Sequence, residues 1–456
     1  MVCHTRALSR GTRGTECHTV IMDNTVRTGT ELLWSALGGD PALVDRVEYG
    51  GVSGLLPARL PVMDLARATV AACSLAAVEH AGLPGPVRVD DGAVATAFVS
   101  ERHLRVDGRE PVNFAPLSRF WRAADGWVRT HANYPHHKAA LLTGLGVPDS
   151  VEAVAAAVAE RKAVEVETAV YAAGGLAVAL RTPEEWAAGE QGREVAARPL
   201  LTRERLDEAA PRRSRSGPLR VLDLTRVLAG PVATRTLALL GADVLRIDPP
   251  GNPELPDLHA DTSAGKRTAA LDLDRPSDRR TFEELLDSAD VLVTGYRPGA
   301  LDRFDLERPG LVTARLSAWG DYGPWSGRRG FDSLVQVATG IAVVEGSAAE
   351  PGALPAQALD HGTGYLLAAA VLRSLTEQRR DGGSRLVRLA LAQTGHWLTH
   401  SLPRYEPERY LVETDSPLGR LRHALSPVSY EGGPSGWTRA PGLAGADAAE
   451  WLGAGS

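Results

Sequence analysis

Cysteine is almost absent: the chain has three in 456 residues, Cys3, Cys17 and Cys73. An odd, sparse set without paired spacing provides neither a disulfide framework nor a zinc site, and it fits a reducing, cytoplasmic compartment. Long apolar runs are missing too. None approaches the ~20 residues that a helix needs to cross a bilayer, so no membrane role is expected. There is no excess of positive charge: 50 Lys and Arg against 56 Asp and Glu give a formal charge of −6. That is the wrong sign for a general nucleic-acid binder. The last absence is local. "LDLTRVLAGPVATRTLALLGADVLRIDPPG" (222–251) has the strand, Ala/Leu helix, second strand and terminal acid, Asp248, of a nucleotide-binding βαβ unit. Yet only Gly230, followed by Pro231, stands between the first strand and the helix. Without G-x-G-x-x-G the dinucleotide reading is weak.

What is present is ordinary for a globular protein: 44% hydrophobic and 23% charged residues, with length for two or three domains. Residues 1–21 are polar, lack an apolar signal core, and do not read as a secretory peptide; a disordered leader is expected over 1–28. In the C-terminal half, short apolar strands ("PLRVLDL", "DVLRI", "RTAALDL", "DVLVTGY", "LVTARLSAWG") alternate with helical patterns. That alternation predicts an α/β fold with a doubly wound, Rossmann-like parallel sheet over 218–456. Charged, Pro- and Ser-containing 203–217 reads as a linker. Over 106–202, "SRFWRAADGWVRT" predicts a hairpin about an Asp-Gly turn, and helical runs follow, as in a smaller α+β domain.

Residues 29–105 read as part of an internal duplication. "LPVMDLARATVAACSLAAVEHAG" (60–82) is similar to "QALDHGTGYLLAAAVLRSLTEQ" (357–378). Each has an apolar approach to an Asp (Asp64, Asp360), a small-residue helix, and then a strand, "VRVDDGAVATAF" or "VRLALAQTGHWL". Such repeats bear directly on the fold.

Six segments in the second half, in order, resemble the family III CoA-transferases (the CaiB/BaiF family), whose members include formyl-CoA and carnitine CoA-transferases. They are the βαβ stretch above, "AGKRTAALDLDRP", "GYRPGALDRFDL", "AWGDYGPWSGRRGFDSLVQVATG", "LDHGTGYLLAAAV" and "SPVSYEGGPSGW". Residues 117–200 resemble the family's small domain more faintly. The resemblance implies the family's fold and an activity that moves CoA between an acyl-CoA and a small carboxylic acid. CoA enters as part of the substrate, and no metal is implied. It also implies either a homodimer or, given the partial first copy, a fused chain that mimics the family's interlocked dimer.

An aspartate suits this chemistry. A carboxylate with a reference pKa near 3.9 is ionised at pH 7 and attacks a thioester without a general base. Asp360 is the candidate nucleophile. It stands where a loop enters a helix, and free backbone N–H groups there stabilise a carboxylate or an oxyanion. Gly362 and Gly364 would let backbone approach the substrate. An Asp before a helix is most often an N-cap; the resemblance reverses that preference for Asp360, whereas Asp64 keeps it. For CoA, the resemblance points to the cations Lys266, Arg267 and Arg297 and to backbone groups of Val227 and Ala229, with Gln336 a weaker candidate. Leu228, Gly295 and the arginine-free "DPPG" depart from the family pattern.

His131, His136 and His137 have no Cys or carboxylate at metal-ligand spacing and read as an exposed loop. Two other functions are weighed. An acyl-CoA racemase or epimerase on the same fold needs two bases about Cα; His361 adjoins Asp360, but neighbours on a helix diverge by about 100°. A non-catalytic acyl-CoA-binding protein is the third.

Overall fold

The computed structural model describes residues 24–52, 54–210, 217–398 and 408–451. Cys3 and Cys17, the expected leader up to residue 23, and residues 211–216 of the expected linker lie outside the described residues. Helix Asn24–Ala36 begins inside the leader span.

Seven strands form the main sheet: β1 (Leu201–Arg205), β2 (Arg220–Leu224), β3 (Asp243–Asp248), β4 (Arg267–Ala270), β5 (Val291–Thr294), β6 (Val312–Ser317) and β7 (Arg385–Ala390). Their order across the sheet is β4-β3-β2-β5-β6-β7-β1. β2 to β7 run parallel, and β1 pairs antiparallel with β7. Counted within the parallel set, this is the doubly wound order 3-2-1-4-5-6, as the strand–helix alternation predicts. Strands such as β3 and β5 are buried at every position. Burial on both faces is why they read as unbroken apolar runs. The winding reverses between β2 and β5, so a crevice opens at their C-terminal ends.

β1 corrects the linker boundary. Its exposure rises along the strand, and Glu204 and Arg205 face solvent. An edge strand with one wet side has no apolar run to announce it, so the sequence reading began the linker two residues into a strand.

Four helices matter for the site: α1 (Val62–Ala81), α2 (Ala229–Leu239), α3 (Asp332–Ala338) and α4 (Ala358–Asp381). α4 is packed between α1 and α2 and buried continuously from 358 to 375, as befits an interior helix. The helices approach closely at its glycines. A Cβ on Gly364 would lie 2.6 Å from the Ala229 carbonyl oxygen, and one on Gly362 would lie 3.2 Å from Leu65. These glycines admit neighbouring helices, not a substrate.

The duplication has a structural counterpart. After α1, strand Val87–Asp90 runs straight into helix Asp91–Ala97; after α4, β7 runs straight into helix Leu391–Trp397. Strand Val87–Asp90 belongs to a separate small sheet, between Val47–Gly50 and Ser429–Tyr430. The smaller domain has the predicted hairpin, Phe120–Arg122 with Trp127–Thr130, extended antiparallel by Ala177–Ala179. Val128, Leu141, Val154 and Val166 lie in its own core.

Candidate active site

A cavity of about 250 Å³ occupies the switch-point crevice. Arg226, Val227 and Ala229 reach it from the turn after β2, Gly295 to Arg297 from the loop after β5, and Leu316 and Ser317 from the end of β6. Arg329 to Phe331 enter just before α3, and Tyr134 and His137 close it from the smaller domain. Asp360, in the first turn of α4, lies in its wall. Parallel strands point all these loops the same way, which is why doubly wound sheets bind ligands at this edge. A larger cleft of about 940 Å³ adjoins it beyond Tyr296 and Arg297, but Asp360 does not line that one.

Asp360 does not serve as the N-cap, which is Gln357. The Asp360 side chain is 6% exposed, and among the described residues its carboxyl oxygens accept no hydrogen bond. Its backbone N–H, which the sequence reading offered to an oxyanion, is taken: it donates to Asp332 Oδ2 at 2.9 Å. Asp332, fully buried at the start of α3, thus caps α4 from a neighbouring helix. Gln336 Nε2 donates to its other oxygen, and Gln336 Oε1 accepts from Leu354 N–H at 2.9 Å. Gln336 therefore holds Asp332, one step removed from Asp360.

Three carboxyls meet here. Burial, then the charges of Asp332 and Glu101, hold the Asp360 carboxyl well above the ordinary carboxylate range. Burial pushes Asp332 up to about 6, against the hydrogen bonds it receives. An Asp already ionised at pH 7, expected from the reference value, is what this environment opposes. Glu101, from the N-terminal region, faces His361: Nε2 lies 3.4 Å from Glu101 Oε2, and the ring stacks on Phe98. His361 thus turns away from the pocket.

Sequence reasoning missed Asp332 and Glu101. The i,i+4 pairing of Asp332 with Gln336 was a readable signal in "DSLVQ"; Glu101 left none, since only folding brings it 260 residues along the chain to His361.

Val227 and Ala229 line the cavity. Val227 has φ +67°, a left-handed conformation unusual for a β-branched residue. Glu254 supports it by accepting its N–H at 2.8 Å. Glu254 also accepts from Tyr134 Oη of the smaller domain, from Leu255 N–H and from Arg246. Burial works against its charge, yet Arg246 and Arg226 hold its carboxyl below the ordinary range.

Arg297 lines both cavities and is exposed. The other two predicted cations are placed elsewhere. Lys266 is 1% exposed; its Nζ donates to Asp223 Oδ2 (3.1 Å) and Pro231 O (3.0 Å), beneath the β2–α2 turn. Burial lowers its pKa to about 8 despite Asp223. Arg267 reaches back to Asp243, the first residue of β3, with contacts of 2.7 and 2.9 Å from one nitrogen, at the sheet edge opposite the pocket. Both fasten the sheet, and neither faces the cavity. Asp248 is likewise committed, to Arg246 at 2.8 Å. Asp64 pairs with Arg67, which also grips Asp91.

The histidine loop differs from expectation. His131 and His137 are buried and stack around Phe331. Burial first, then neighbouring positive charge, pushes both down to about 3, so they are neutral. No metal-holding group of His, Cys, Asp and Glu occurs among the described residues, and no described helix is long and apolar enough to cross a membrane.

Open α/β sheets of this kind bind their ligands in the switch-point crevice, where Asp360 lies. Residues 218–430 match the family described as CoA-transferase family III. Among curated relatives, an acetyl-coenzyme A transferase of Hypoxylon pulicicidum is 34% identical over 48% of this chain and 39% of its own length. A probable fatty acyl-CoA transferase of Mycobacterium tuberculosis is 32% identical over 38% of this chain and 49% of its own length. An acyl-CoA transferase of Gibberella moniliformis is 29% identical over 67% and 62% respectively. The chain thus spans 39% to 62% of these relatives. A crystal structure of a CAIB/BAIF family protein from Brucella suis is 25% identical with a TM-score of 0.36, covering 41% of this chain and 55% of that one.

Proposed function

We propose that the protein transfers CoA from an acyl-CoA to a carboxylic acid through a covalent intermediate on Asp360. The observation that carries this reading is the Asp360 carboxyl: buried, without a hydrogen-bond partner among the described residues, in the switch-point cavity of the region that matches family III.

The steps balance without a general base. Ionised Asp360 attacks the thioester carbonyl; the C–S bond breaks, leaving a mixed anhydride and CoA thiolate. The thiolate attacks the aspartyl carbonyl and expels the donor acid, which gives an aspartyl thioester. The acceptor carboxylate attacks that carbonyl and frees the thiolate again. Thiolate attack on the acceptor's carbonyl then forms the new acyl-CoA and restores Asp360. One thioester and one carboxylate enter, and one of each leaves.

Desolvation makes a carboxylate a stronger nucleophile, at the expense of a raised pKa. Asp332 positions Asp360 by fixing the first turn of α4. Val227, Ala229 and Arg297 support the reading as the contacts nearest a bound CoA thioester.

The test is chemical trapping. The protein is incubated with acyl-CoA, treated with hydroxylamine or borohydride, and examined by mass spectrometry. Modification at Asp360, lost in Asp360→Ala, is expected. Binding of acyl-CoA without an adduct refutes the proposal, and exchange of the α-hydrogen with deuterated water would then favour a racemase.

A further inference from the structure

A second, smaller cavity of about 60 Å³ adjoins the first. Asp360, Val227 and Phe331 line both, so these three residues form the partition. The rest of its wall draws polar side chains from three parts of the chain. His131 directly follows strand Trp127–Thr130 of the smaller domain, Ser333 lies in α3, and Gln357 stands at the N-cap of α4. His131 Nδ1, Ser333 Oγ and Gln357 Oε1 are buried, and none has a hydrogen-bond partner among the described residues. The His131 side chain is fixed: it is 5% exposed and stacks on Phe331 with ring centroids 4.1 Å apart. By contrast, Asn133 and Asp332, which also line the cavity, are engaged. Asn133 bonds Ala115, Ser118 and Asn113; Asp332 accepts from Asp360 N–H and from Gln336.

Buried polar atoms left bare are costly, and a small polar cavity is where ordered water satisfies them. This volume takes roughly two waters, at about 30 Å³ each, and three polar partners suffice to hold one. Gln357 Oε1 only accepts, so the occupant has to donate; water does, and an ionised acid does not. We propose that this cavity holds water against Asp360 and gives the protein a second activity, the hydrolysis of acyl-CoA when no acceptor acid is present. The inference rests on the transferase reading, because it needs the aspartyl thioester. Water attacks the aspartyl carbonyl; a C–O bond forms and the C–S bond breaks. The departing thiolate takes one proton of the water, and the other is released as Asp360 ionises again. Acyl-CoA and water enter, and the free acid and CoA thiol leave.

Turnover of butyryl-CoA in heavy-oxygen water, without an acceptor, tests this. CoA thiol should be released continuously, and the Asp360 peptide should carry heavy oxygen after the first turnover. The released butyrate should gain it only later, when a labelled Asp360 oxygen departs with the donor acid. Label in the acid alone places water on the acyl carbonyl, from the larger cavity, and overturns the proposal. Trapping of Asp360 by hydroxylamine without acceptor-free release of CoA also overturns it, while the transferase reading stands. If neither trapping nor release occurs, the transferase reading itself fails and this inference falls with it. Gln357→Met keeps the side-chain shape, and Ser333→Ala removes only a hydroxyl. Each should slow acceptor-free release about tenfold and leave trapping of Asp360 unchanged. Equal losses of release and of transfer to an added acid give the cavity to the acceptor, which overturns the proposal too. The isotope result uses the wild type, so it decides the question even if a variant misfolds.

Discussion

The Asp360 carboxyl rests most comfortably protonated, yet the proposed reaction needs it ionised. Its folded pKa is raised by burial and by Asp332 and Glu101, so the rising limb of kcat/KM should lie well above pH 4. Asp332→Asn removes one opposing charge and should move that limb to lower pH in a pH–rate profile. Stability follows the same sign. A carboxyl with a folded pKa above its unfolded value of about 3.8 adds stability below that value, and loses it as pH rises through the folded pKa. Asp360→Asn should therefore melt above the wild type at pH 8 but not at pH 4, while transferase activity falls about a thousandfold or more. Residue types told only part of this. The family resemblance singled out Asp360 where the Asp-before-a-helix pattern alone favoured an N-cap, but its ionisation depends on Glu101 and Asp332, which adjacency in sequence does not reveal. The resemblance pointed to the basic pair in "AGKR" as CoA ligands, and their burial against the sheet is not visible in a sequence. Arg267→Lys should accordingly leave acyl-CoA binding unchanged, whereas Arg297→Ala should raise KM.

At the scale of elements, legibility followed burial. Strands β2 to β7 announced themselves as apolar runs between helices, and that alternation predicted a doubly wound sheet, while the order across it came only with the fold. β1 was hidden because an edge strand is half wet. The glycines of α4 were visible, but their purpose was not: helix packing requires them. Gly364→Val would drive a side chain into the Ala229 carbonyl and Val232. It should destabilise the α2–α4 seam by about 1–3 kcal/mol, measurable as a lower urea midpoint, with Asp360 displaced and activity reduced alongside.

Across the whole molecule, Glu254 is one tie between the smaller domain and the crevice, joining Tyr134, Arg246 and the strained Val227 turn. Glu254→Gln leaves Arg246 with less compensation in the interior and should cost about 3 kcal/mol in chemical unfolding, while raising KM for acyl-CoA. The repeated Asp–helix–strand order was readable from sequence and recurs in three dimensions, though only one copy presents an open carboxyl: Arg67 occupies Asp64 in the other. The long-range pairings also bear on synthesis. β1 joins only β7 in the sheet, whose first residue follows Arg205 by 180 positions (385 minus 205), and α1 packs on α4, nearly 300 residues later. At 5–20 residues per second, a ribosome takes on the order of 10–40 s to deliver that strand. During that interval β1 is an unclaimed edge, and nascent copies on one polysome are where mispairing between chains would begin.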